Sequence, residues 1–192
     1  QDALHFLTGE AARSWQAVLE AVLLPALTPL VRDPAFRSVL FPRLPDLTRL
    51  VGRDAGPLES FLDGVLGELP ELELNHRFAV SAFLADLEAR VPGVPSYLVR
   101  RLRGTADPHL AAFYGNVLSR VPLEPHEFAE TVDRMVALFA EHGRDTALAK
   151  RVRTTFRFLG PEPLERLSAP ALTRTMQHDQ RTWLVHLWND YR

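Results

Sequence analysis

Proline is the feature of this sequence that most constrains its fold. The chain of 192 residues contains 15 prolines, and nearly all of them fall between segments in which apolar residues recur at helical spacing. Because proline lacks a backbone N–H and clashes with the preceding turn, it ends a helix or occupies its first turn. No segment alternates polar and β-branched apolar residues as a strand does. The sequence therefore predicts an all-α fold of about 8–10 short helices.

Asp-Pro pairs mark the starts of two predicted helices, at Asp33-Pro34 and at Asp107-Pro108. The aspartate accepts hydrogen bonds from the first backbone N–H groups of a helix, and proline fits the first helical position because its missing N–H is not needed there. Farther along, Gly143 follows a long run of helical periodicity and predicts where that helix ends.

From Pro57 onward the predicted helices form successive antiparallel hairpins of roughly 35 residues each, which favours an irregular helical-repeat array of the HEAT or TPR kind. The hairpin lengths vary, and the TPR and ankyrin consensus residues are absent. A compact multi-helix bundle is therefore the alternative. In one of these helices the predicted buried stripe consists of Phe78, Val80, Phe83, Leu84 and Leu87.

The composition supports one folded domain. With 192 residues and 46% hydrophobic content, the chain is long enough to bury a continuous core, so we expect a single all-α domain over residues 1–192. The sequence begins at Gln1 rather than at a methionine, which indicates a processed chain or an excerpt of a longer protein.

Charge and cysteine content exclude several classes of function. The formal net charge is −2 at pH 7, so no global field draws the molecule to nucleic acid or to an acidic membrane. The absence of cysteine excludes disulfides, thiolate nucleophiles and cysteine-ligated metals. No run of about 18 apolar residues is present, so we predict no membrane span and expect a cytoplasmic location.

The segment AKRVRTTFRFLG, residues 149–160, mixes basic and aromatic side chains. On a helical wheel at about 100° per residue, a basic face of Lys150, Arg153 and Arg157 lies opposite a predicted core face. Phe158 falls at the edge of the core face, beside Arg151. The core face itself consists of Leu148, Val152, Thr155, Phe156 and Leu159.

Three environments are open to this basic face. It is solvated alone, it pairs at its flank with acidic residues of the preceding helix, or it joins a second basic cluster in the segment SYLVRRLRG. The acidic residues are Glu127, Glu130, Asp133 and Glu141. If the two basic clusters share one surface, they form a site for nucleic-acid phosphates or other anions. The six cations of that candidate site are Arg100, Arg101, Arg103, Lys150, Arg153 and Arg157.

An acidic tract between residues 54 and 74 contains no basic side chain. Such a tract is usually the solvated part of a helix and its loop. Its functional interpretation is a surface for a basic partner or for a second copy of this chain, which makes a homo-oligomer an alternative assembly. The candidate residues are Asp54, Glu59, Asp63, Glu68, Glu71 and Glu73.

Motifs that carry catalysis or bind metals are absent from the sequence. There is no HExxH pattern, no phosphate-binding GxxxxGK[ST] loop, no GxGxxG and no GxSxG elbow. We therefore predict no metal site, no cofactor and no catalytic residue, and an enzymatic function has no support in the sequence.

These observations favour a non-catalytic helical scaffold or adaptor domain whose partner is another protein. The first alternative is a nucleic-acid-binding helical domain that uses the arginine-rich clusters. The second is a small-molecule-binding regulatory domain in which Trp15, Trp183 or Trp188 lines a pocket.

Overall fold

The computed structural model describes residues 22–48, 51, 56–69, 74–142, 145–169 and 178–190. All regular secondary structure in these ranges is helical, which confirms the predicted all-α class. Two short 3-10 helices span Pro29–Arg32 and Phe41–Arg43. The α-helices are α1 (Leu24–Leu27), α2 (Pro34–Leu40), α3 (Leu44–Leu47), α4 (Gly56–Gly67), α5 (Leu74–Glu88), α6 (Gly93–Gly104), α7 (Pro108–Leu118), α8 (Pro125–His142), α9 (Thr146–Leu159), α10 (Glu162–Leu167) and α11 (His178–Asp190).

The chain divides into two compact units, Gln1–Tyr97 and Leu98–Arg192, and the boundary falls within α6. The single domain over residues 1–192 stays a prediction.

Aspartate caps set the starts of three helices. Asp33 accepts a hydrogen bond from the backbone N–H of Ala35 at 2.8 Å, and Asp107 accepts one from His109 at 2.8 Å, as the two Asp-Pro pairs predict. Asp145 caps α9 in the same way. These side chains satisfy N–H groups that have no partner inside the helix.

In the first unit, α1 packs against α4, and α3 packs against α5. Phe61 of α4 and Phe83 of α5 meet edge to face, with ring centroids 6.3 Å apart. Both rings are fully buried, as is Phe41 of the second 3-10 helix. Aromatic pairs in this geometry stabilise a core beyond the area that they bury.

Phe78 corrects one sequence prediction, because its side chain is 66% exposed rather than part of the buried stripe of α5. Phe78 and Val80 are two residues apart, which places them about 200° apart around a helix. Val80 points into the core with Phe83, so Phe78 must point away from it. Helix α5 thus carries apolar residues on both faces.

In the second unit, α7, α8 and α9 pack against one another, and α10 packs against α8. Near the starts of α7 and α9, the Nε2 of His109 lies 3.3 Å from the Oδ2 of Asp145. Farther along both helices, the side-chain amide of Asn116 donates to the hydroxyl of Thr155. The two helices therefore run in the same direction. Gly115 lets α7 approach α8 closely, since a methyl group there would overlap the side chain of Met135. The helices therefore form a compact arrangement within this unit.

Candidate functional site

The outer face of α9 presents the basic residues that the helical wheel assigns to it. Lys150 and Arg157 are exposed, and Arg153 is half-buried. On the opposite side, the predicted core residues are all buried, which confirms the orientation of this helix. They are Leu148, Val152, Thr155, Phe156 and Leu159.

Arg153 is held at one edge of this face by an aromatic cluster. The carbon at the centre of its guanidinium lies 5.3 Å from the ring centroid of Trp183 on α11. Trp183 in turn contacts Phe139 and Phe156, with ring centroids 5.2 and 6.0 Å away. A guanidinium over an indole ring is attracted by the ring quadrupole, so α11 fixes the position of this cation.

Phe158 and Arg120 form a second pair at the other edge. The Phe158 side chain is 52% exposed, and the guanidinium carbon of Arg120 lies 4.7 Å from its ring centroid. Arg151, on the same side of α9, donates to the backbone carbonyl of His109 at 3.3 Å.

We call Arg120, Lys150, Arg153, Arg157 and Phe158 together the α9 face.

Sequence reasoning missed Arg120, which follows α7 and is separated from Phe158 by 37 intervening residues. No local pattern connects the two positions. Their contact depends on the parallel packing of α7 and α9, which places the end of one helix beside the end of the other.

The cations of the α9 face have no acidic partner within the described ranges. Helix α9 itself contains no aspartate or glutamate. The ion pairs among the described residues of the second unit join other side chains, and none of them involves Arg120, Lys150, Arg153 or Arg157. The positive charge of this face is therefore not neutralised by the described part of the fold.

Two acidic residues of α8 bind arginines from other helices. Glu130 accepts two hydrogen bonds from Arg103 of α6, at 2.6 and 2.5 Å, and Asp133 binds Arg166 of α10. These bonds raise the pKa of both guanidinium groups above its ordinary value, chiefly because each donates to a carboxylate. For Glu130 and Asp133, contacts with α6 and α10 thus take the place of the possible pairing between α8 and the basic face of α9.

The two predicted basic clusters lie in different environments. Arg103 binds Glu130 of α8, whereas Phe156 of α9 contacts Phe139 of the same helix. Glu130 and Phe139 are nine residues apart. At about 100° per residue they point to opposite sides of that helix. Arg100 and Arg101 also have interaction partners. The structure therefore groups Lys150, Arg153 and Arg157, but it does not add Arg103 to their face, and the six-residue nucleic-acid site stays a prediction.

The acidic tract belongs to the first unit, and three of its six residues, Asp54, Glu71 and Glu73, lie outside the described ranges. Asp63 accepts a hydrogen bond from the hydroxyl of Tyr97. Glu68 accepts one from Arg37 at 2.8 Å. Glu59 also has an interaction partner. An external basic partner would compete with these contacts, and the acidic surface stays a prediction.

The structure describes only part of the residues on which the metal and pocket hypotheses depend, and the pocket alternative stays a prediction. No group of three or more histidine, aspartate or glutamate side chains among the described residues is arranged to hold a metal ion. Trp183 packs in the aromatic cluster beside Arg153, whereas Trp15 and the side chain of Trp188 lie outside the described residues. None of the described helices combines the length and apolar character needed to cross a membrane.

Comparison with known proteins adds no assignment: no family model matches the chain, and no curated protein or solved structure is significantly similar to it.

Proposed function

We propose that this chain is a non-catalytic helical interaction module that binds an acidic segment of another protein through the α9 face. The observation that carries the proposal is the contrast in charge pairing within the second unit. Glu130 and Asp133 of α8 have arginine partners. Within the described ranges, by contrast, no ion pair joins Lys150, Arg153 or Arg157 of α9 to an acidic side chain. A fixed cationic surface with one exposed aromatic ring suits recognition of a complementary protein surface.

The number of available cations favours an acidic protein over a nucleic acid. The α9 face offers four of them, whereas a protein whose DNA affinity depends steeply on salt makes about six to ten phosphate contacts. The arginine that would extend the face, Arg103, is already paired with Glu130. The formal net charge of −2 also gives no long-range attraction to a polyanion.

Fluorescence anisotropy with a labelled glutamate-rich peptide tests the proposal. We expect the double substitution Lys150→Glu/Arg157→Glu to weaken binding roughly 10- to 100-fold, because each reversal replaces an attraction with a repulsion. Neither side chain is buried, so far-UV circular dichroism should be unchanged.

The matched control is Arg32→Glu/Arg90→Glu, which reverses two exposed arginines of the first unit and changes the net charge equally. This control should bind the peptide as the wild type does. Equal weakening by both double variants would contradict the proposal, because binding would then follow net charge alone. If a single-stranded oligonucleotide of equal charge binds more tightly than the peptide, the partner is a nucleic acid rather than a protein.

A further inference from the structure

We infer that the partner segment is an acidic amphipathic helix that lies along α9 and places one apolar side chain against Phe158. This inference rests on the proposed function and adds the shape and the anchor of the partner. It is carried by the spacing of the cations, by the exposure of Phe158 and by the way in which the fold fixes both.

The cations are spaced as the residues of a single helix face. Lys150, Arg153 and Arg157 occupy positions i, i+3 and i+7, so the first and the last are about 10.5 Å apart along the axis at a rise of about 1.5 Å per residue. On a second helix, carboxylates at positions i, i+3 and i+7 span the same axial distance of about 10.5 Å. A partner helix aligned with α9 therefore places one acidic side chain near each cation.

An uncharged position lies between the cations and the aromatic ring. Around the helix, Thr154 is about 60° from Arg157 and about 40° from Phe158. Its hydroxyl donates to the backbone carbonyl of Lys150 at 3.0 Å, so its hydrogen is used within α9. A partner helix meets neither a bulky nor a charged side chain there and can contact the charged and the apolar part of the face together.

Phe158 supplies an apolar anchor at one end of the face. Its exposed fraction of 52% contrasts with the complete burial of Phe156, two residues earlier in the same helix. Arg120 lies against the ring and thereby occupies surface on which a nucleic-acid base would have to stack. An aliphatic side chain needs only the remaining edge and face of the ring, which favours a protein segment as the ligand.

The backbone that carries this anchor is fixed at both ends. Asp145 caps the start of α9 through the N–H groups of Ala147 and Leu148. At the other end, Gly160 has a φ of 77°, a left-handed conformation that stops the helix directly after Leu159. Phe158 therefore sits in the last turn of a helix with defined ends, and little ordering cost is expected on binding.

Two fluorescein-labelled helical peptides of identical composition test the inference. Both carry glutamates in three consecutive turns of one face; the first has a leucine on that face beyond the last glutamate, and the second has the leucine on the opposite face. We expect the wild type to bind the first peptide about fivefold or more tightly than the second, because only the first brings an apolar side chain to the ring.

Variants of the anchor separate this inference from the proposed function. Phe158→Ala should bring the two affinities together, whereas Phe158→Leu should keep most of the difference because it retains apolar area. Phe78→Ala, which removes an exposed phenylalanine of the first unit, is the matched control and should keep the full difference.

The outcomes distinguish the two proposals. If both peptides bind with equal affinity to the wild type, and Lys150→Glu/Arg157→Glu weakens both, the anchor is wrong and the cationic interface stands. If neither peptide binds, the proposed function fails as well. Oligonucleotide binding that is lost in Phe158→Ala would overturn the inference in favour of base stacking on the ring.

Discussion

Helices α8 and α9 pack against each other and both expose a charged face, yet the fold treats the two faces differently. Two acids of α8, Glu130 and Asp133, bind arginines that approach from two sides, Arg103 from α6 and Arg166 from α10. In the described part of the chain, no ion pair joins Lys150, Arg153 or Arg157 of α9 to an acidic side chain. A similar density of charge in the sequence thus gives a neutralised surface on one helix and an available surface on the other.

The difference follows from what each neighbour brings to the contact. Helices α7 and α11 reach the charged half of α9 through a backbone carbonyl of His109 and the ring of Trp183. These groups orient a guanidinium without neutralising it. Arginines of α6 and α10, by contrast, face α8 directly, and bonds between charged groups are the stronger kind.

The largest effect expected from this comparison concerns the two phenylalanines of α9. Phe156→Ala should lower the free energy of unfolding by about 3–5 kcal/mol, because it leaves a cavity beside Phe139 and Trp183. Phe158→Ala should lower it by only about 1 kcal/mol, because the ring is half exposed and loses little more than its contact with Arg120. Urea denaturation followed by circular dichroism measures both values, and equal losses would show that the orientation of α9 is wrong.

A smaller difference should separate the paired from the unpaired arginines. Arg166→Ala removes bonds to Asp133 and Glu162 and should cost about 1 kcal/mol or less, because solvent screens these partly exposed pairs. Arg157→Ala removes no ion pair from the described fold and should stay within about 0.5 kcal/mol of the wild type. A larger cost for Arg157→Ala in chemical denaturation would reveal a partner for that cation and break the contrast between the two helices.

The smallest effect should appear in the pH dependence at the start of α9. The pKa of Asp145 lies below its usual range, chiefly because its carboxylate accepts a hydrogen bond from the N–H of Leu148. The charge of His109 and the N–H of Ala147 lower this pKa further. A carboxylate with a lowered pKa contributes stability that is complete above about pH 4 and is lost as the pH falls through the folded-state value. The melting temperature of the wild type should therefore decrease more steeply below pH 4 than that of Asp145→Asn.

Asparagine at position 145 keeps an oxygen that caps the helix but does not titrate in this range, which makes it the appropriate reference. Asp145→Ala removes the cap and should melt at a lower temperature than Asp145→Asn at pH 7. If the melting temperatures of the wild type and Asp145→Asn decrease equally below pH 4, the side-chain oxygen at position 145 stabilises α9 as a hydrogen-bond acceptor and not through its charge.

Much of the helical architecture was predictable because it depends on local rules. The Asp-Pro pairs gave the starts of α2 and α7, and the helical wheel gave the buried side of α9. The prediction for Phe78 was wrong because it followed the residue type, whereas the angle from the buried Val80 excludes burial. Weighing the angular position of each residue above its hydrophobicity would have identified this exposed ring.

By itself, the sequence determined the all-α class and the direction in which α9 turns its cations, because both follow from the helical period within a few residues. Only the tertiary structure decided which charges remain available. The bonds that Arg103 donates to Glu130 and Arg166 donates to Asp133 join positions 27 and 33 residues apart. Whether such residues meet depends on how whole helices pack, and that packing is governed mainly by buried apolar area rather than by the exposed charges themselves.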